Sequence, residues 1–161
     1  MEDIDVFRII EDDAEEYKRK SIEELSKRVI QLFDSGVMER TLTEMTKPPM
    51  LGEPEGNCHA IALAFMTDLI VARQDKGWFW VQGVNPKIRR EGKPWEHSWL
   101  ECDGLIVDAT LKQKENPDRL TVTIGEPEFF YKTKGITKIL KRRNATQTRK
   151  WIFKHASKAR G

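Results

Sequence analysis

Hydrophobic positions along this chain recur with two different periods. Through residue 73 they return every three to four residues. Val6, Ile9, Ile10, Ala14 and Tyr17 predict a helix over 5–20. Leu25, Val29, Leu32 and Phe33 predict a second, with Ser21 and Glu24 at capping-box spacing before them and Gly36 placed for a left-handed cap. Pro48, Pro49, Gly52, Pro54 and Gly56 predict a loop over 41–56. Asn57 then stands as N-cap of a helix over 58–73, whose apolar positions (Ile61, Ala62, Phe65, Met66, Leu69, Ile70) are broad enough for a central, largely buried element.

Beyond residue 77 the period shortens to two. Trp78–Val84 reads as a strand, followed by a loop rich in proline and cations up to Pro94. Arg119–Ile124 predicts a further strand and Glu128–Lys132 another, while 136–158 predicts one or two basic helices. The clearest alternation spans Trp95–Thr110, and Asp103-Gly104 in its middle favours a two-residue type I′ turn. That turn pairs Cys102 with Leu105, Glu101 with Ile106, Leu100 with Val107 and Trp99 with Asp108. His97, Trp99 and Glu101 then share a face with Ile106, Asp108 and Thr110, and His97 and Asp108 become diagonal neighbours.

An imidazole oriented by a carboxylate needs a nucleophile to complete a triad, and Cys58 supplies a thiol. At a helix start it would meet unpaired N–H groups and the positive end of the dipole, both of which favour thiolate. His97 could take its proton, and Asp108 would fix the imidazole tautomer. Cys102 falls on the opposite strand face and reads as a small core residue. His59 points about 100° away from Cys58 around the helix and reads as something other than the base. Gln82 is a candidate oxyanion donor; Trp95 and Trp99 flank His97 as candidate shields or substrate walls.

Composition bounds the rest. The chain has 161 residues, 39% hydrophobic and 34% charged, which suits one domain with a real core. The expected division is helices over 1–40, a catalytic core over 50–131 and a basic helical tail over 136–161. No apolar run is long enough to span a bilayer, and the acidic N-terminus lacks the pattern of a secretory leader, so a cytoplasmic location is expected. Cys58 and Cys102 do not form a disulfide framework. The spacings match no zinc knuckle, metalloprotease helix, Walker loop or dinucleotide fingerprint, so neither metal nor cofactor is expected. Residues 1–50 hold 13 acids against 8 bases, whereas 137–161 hold 9 cations and no acid. That tail, with Trp151 and Phe153 interleaved, would attract nucleic acid, an acidic protein or an anionic membrane surface. A non-enzymatic binding module using it is the alternative to an enzyme.

In order and spacing, Gly56-Asn57-Cys58, Val81-Gln82-Gly83, His97-Ser98-Trp99-Leu100-Glu101, Asp103-Gly104 and Asp108-Ala109-Thr110 together resemble the transglutaminase-like superfamily of papain-like folds. The resemblance covers roughly residues 50–112. It implies an α+β fold with the nucleophile helix packed on an antiparallel sheet and flanked by terminal helices. It also implies Cys58 as nucleophile, His97 as general base and acid, Asp108 as orienting carboxylate, and a peptide or protein amide as substrate. The superfamily includes peptidases, deamidases, cross-linkers and inactive relatives. The short chain has no room for the accessory and calcium-binding domains of the larger cross-linkers, which favours a compact hydrolase. An arylamine-type acetyltransferase, also built on Cys, His and Asp, ranks lower.

Overall fold

The computed structural model describes residues 4–47, 58–90, 92–110 and 120–160. Along the chain run β1 (Ile4–Ile9), α1 (Glu16–Asp34), α2 (Glu39–Thr46), α3 (Cys58–Val71), β2 (Trp78–Arg90), β3 (Lys93–Cys102), β4 (Leu105–Asp108), β5 (Leu120–Gly125), α4 (Pro127–Lys134), β6 (Lys138–Arg143) and α5 (Ala145–Arg160). The fold is α+β. Its six strands form one mixed sheet in the order β1-β5-β4-β3-β2-β6, antiparallel except for the parallel β1–β5 pair.

The sheet separates two apolar clusters. On one face Ile22, Leu25, Val29 and Phe33 of α1 and Ile61, Phe65, Met66 and Leu69 of α3 pack on Trp78, Trp80, Leu100, Cys102 and Val107. On the other, Phe130 of α4 and Ile136 cover Val81, Trp95, Trp99 and Ile106. The alternation of β3 is thus used on both sides. In α3 the buried Asp68 accepts from the backbone N–H and hydroxyl of Thr41 (both 2.8 Å) and from Arg40 (3.2 Å). Thr41 lies in the first turn of α2, which has no side-chain cap of its own, so the carboxylate takes one of its orphan donors and ties α2 to α3.

The central hairpin forms in the expected register, with Leu100 opposite Val107, Glu101 opposite Ile106 and Cys102 opposite Leu105. Asp103 (φ 50°) and Gly104 (φ 83°) both adopt the left-handed backbone of the turn. Gly36, at φ 82°, follows the end of α1 as expected.

Several expectations need correction. Residues 4–9 form a strand rather than the start of a helix, because they hydrogen-bond in parallel to β5, far away in sequence. The helix begins at Glu16, so Ser21 lies inside it and donates back to Tyr17 O instead of capping. The predicted loop over 41–56 starts too early, since α2 runs to Thr46. The rest of that loop, with Gly56 and Asn57, lies outside the described residues. The cationic loop after Val84 is absorbed into long arms of the β2–β3 hairpin, with a register shift between Asn85 and Arg89. The segment 128–132 is helical: Pro127 opens α4 and Gly135, at φ 66°, closes it. The basic tail is a strand followed by one helix. Asn144 and Gln147 cap that helix reciprocally (3.0 and 2.9 Å), an Asn-x-x-Gln capping box. The terminal regions are therefore not purely helical, and the sheet is mixed rather than wholly antiparallel.

Candidate active site

α3 packs against β3, and its first residue is Cys58. Cys58, Ser98, Trp99, Asp108 and Thr110 line one cleft of about 10 Å³, room for no more than a single water. Cys58, His97 and Asp108 are 1%, 3% and 1% exposed.

The hairpin brings His97 and Asp108 together as its register requires: Nε2 and Oδ2 are 2.6 Å apart. The other carboxylate oxygen, Oδ1, accepts from the backbone N–H and the hydroxyl of Thr110, both at 2.8 Å. Those bonds fix the carboxylate plane and leave Oδ2 for the imidazole. With Nε2 taken, Nδ1 is the nitrogen left to exchange a proton. It is buried without a conventional hydrogen bond. The Cys58 thiol stands outside strict hydrogen-bond geometry there, yet it is near enough to act on the imidazole electrostatically. Burial alone would lower the His97 pKa. Asp108 outweighs it through charge and hydrogen bond, Cys58 adds to the effect, and the imidazole rises to about 9. Burial pushes the Asp108 carboxyl up, but His97 and the Thr110 donors hold it below the ordinary carboxylate value.

Aromatic rings enclose the imidazole. Trp95 stacks on it at 5.1 Å and Trp99 at 5.8 Å, each inclined by 23°, and Phe130 lies 6.2 Å away. Both indoles are buried, and their faces favour an imidazolium between them. Gly83, the cross-strand partner of His97, makes room for this stack. A Cβ there would meet Trp99 Cη2 at 2.5 Å and Ile136 Cγ2 at 2.9 Å. Gly83→Ala is expected to cost about 1–3 kcal/mol by overpacking and to disturb the aromatic wall, read as a lower urea midpoint together with slower alkylation of Cys58.

Gln82 lies opposite Ser98 and so next to the cleft, but its Oε1 accepts from Arg143 Nη1 at 2.5 Å. Its amide NH₂ is the end left to donate. Glu101, on the His97 face, is buried and structural: it accepts from Tyr131 (2.8 Å) and pairs with Arg142 (2.9 Å). The alternation of β3 placed Glu101 on that face, but its partners lie 30 and 41 residues away, beyond any local signal. Cys102 is fully buried, and burial together with the Asp103 charge pushes its thiol up to about 12, an inert setting.

Among the tail cations, Arg143 is half-buried against Gln82 and Trp80 and the exposed Arg142 pairs with Glu101, while Lys138, Lys141, Arg149, Lys150 and Lys154 are exposed, as is Phe153. Trp151 packs edge-on against Trp80 at 5.0 Å, so deleting 137–161 would remove an edge strand and part of the core. Among the described residues no group of three or more His, Cys, Asp or Glu is placed to hold a metal ion, and no helix is long and apolar enough to cross a membrane. No protein-family model, curated protein or solved structure matches the chain.

Proposed function

We propose that this protein is a cysteine-dependent acyl-transfer enzyme or amide hydrolase of the transglutaminase-like, papain-like kind, with Cys58, His97 and Asp108 as its triad. One observation carries the reading: His97 has one nitrogen bonded to the buried Asp108 carboxylate, and that aspartate lines one cleft with the helix-start thiol of Cys58. The chemistry follows from that arrangement. His97 Nδ1 takes the thiol proton, and the Asp108 carboxylate stabilises the imidazolium. The thiolate attacks the carbonyl carbon of an amide, and backbone N–H groups at the start of α3, with the Gln82 amide, are the candidate donors to the oxyanion. The imidazolium then protonates the departing amine as the C–N bond breaks, leaving a thioester on Cys58. Water, giving a proton back to His97, releases the acid and restores the thiol; an amine acceptor in its place gives transfer.

An acyl trap tests this reading. p-Nitrophenyl acetate, acid-quenched within seconds, is expected to leave one acetyl group on Cys58, read by peptide mass. Neither Cys58→Ala nor His97→Gln should accumulate it there. Acetylation of Cys102 at an equal rate, or none on Cys58, would overturn the reading.

A further inference from the structure

His59 follows the nucleophile position and does not belong to the triad, yet it is bonded to Ser98, which lines the same cleft. Its Nδ1 is hydrogen-bonded to Ser98 Oγ. Ser98 is 1% exposed and precedes Trp99 on the strand that carries His97. The hydroxyl has one hydrogen, and His59 is the partner that can take it. Reversing the bond would leave a buried O–H without an acceptor, at a cost of about 1–3 kcal/mol. Nδ1 therefore accepts and Nε2 carries the proton, so the ring is neutral. The bond spans the joint between α3 and β3, one residue from Cys58 on one side and one residue from His97 on the other.

We propose that His59, bonded to Ser98, is a positioning residue that holds the first turn of α3, and with it Cys58, in register with His97, and that protonation of His59 releases this hold. The inference rests on the triad reading above. The charged and titratable groups acting on His59 are Glu96 and His97 on β3; Cys58 precedes it on its own helix, pointing about 100° away, and Gln82, held by Arg143, lies one strand beyond. Burial lowers the His59 pKa, Glu96 opposes this, and the nearby His97 adds to the lowering. Because the held arrangement disfavours the charged ring, acid must favour arrangements in which the ring leaves Ser98. The loss sets in below the ordinary histidine value of about 6.5.

The test is the rate of Cys58 alkylation by iodoacetamide between pH 4.5 and 8 in the full chain, with Cys102 as internal reference. His59→Ala and Ser98→Ala are each expected to slow Cys58 by about tenfold at pH 7, and the double variant by no more than either alone. His59→Asn, which keeps an acceptor for Ser98 and does not titrate, should recover most of the rate. It should also lose the extra fall, of about tenfold, that His59 protonation adds to the acid limb, so that the slope below pH about 6.5 becomes shallower. A purely structural role would leave that slope unchanged. If Cys58 reacts fast and depends on His97, but His59→Ala and His59→Asn both keep the wild-type rate and slope, the positioning role is overturned and the triad stands. If wild-type Cys58 reacts no faster than Cys102, both fall.

Discussion

Replacing His97 by Gln slows iodoacetamide alkylation of Cys58 at pH 7 by up to about 30-fold. A free thiol of pKa about 8.5 is about 3% thiolate at that pH, so pairing with a neighbouring imidazole raises the reactive fraction by up to about 30-fold. Acyl transfer should lose more, about 10²–10⁴-fold, because the imidazole also moves protons in the transition state. Glutamine suits the test better than alanine: its amide can still donate to Asp108 and nearly fills the space, so a folded variant with a slow thiol isolates the proton-transfer role. A Gln variant that alkylates at the wild-type rate would remove His97 from the chemistry.

Replacing Asp108 by Ala destabilises the fold by about 3–5 kcal/mol, the usual cost of stripping one partner from a buried ion pair, and changes how stability depends on pH. The His97 pKa is raised from 6.5 to about 9, so its share of stability is complete below about 6.5 and is lost as pH rises through about 9. That share is on the order of 3 kcal/mol. The Asp108 pKa is lowered, so its share is present above the ordinary carboxylate value and is lost as pH falls through the folded one. Wild type should therefore lose stability between pH 7 and 9, and Asp108→Ala should lose most of that slope, as read from urea midpoints. An unchanged slope in the variant would mean that the pair does not carry the pH dependence. Two donors from Thr110 also lose their acceptor, which places the expected cost at the upper end of the range.

The His97–Asp108 half of the site was legible in the sequence because local rules determine it. A two-residue turn fixes the register, and period two fixes the face. The helix starting at Cys58 was legible for a similar reason, an apolar run between a breaker-rich loop and a strand. The misreadings share a cause. Val6, Ile9 and Ile10 suit either period, and only the pairing of β1 with β5 decides between them. Lys138–Arg143 is too cationic to read as a strand, yet charge is what protects an edge strand from pairing with another chain, and β6 lies at the sheet edge. Phe129, Phe130 and Tyr131 suggest a strand until Pro127 and Gly135 are read as helix punctuation. The His59–Ser98 bond had no local signal. α3 is apolar on almost every side, so its pattern does not say which face meets the sheet.

The central claim is that two buried thiols in one small fold differ in kind: Cys58 is activated by its setting and Cys102 is silenced by it. The most direct measurement is their relative alkylation in the native protein at pH 7, resolved by peptide mass. Cys58 is expected to react at least tenfold faster, with a rate that depends on His97. Equal rates, or a faster Cys102, would contradict the account.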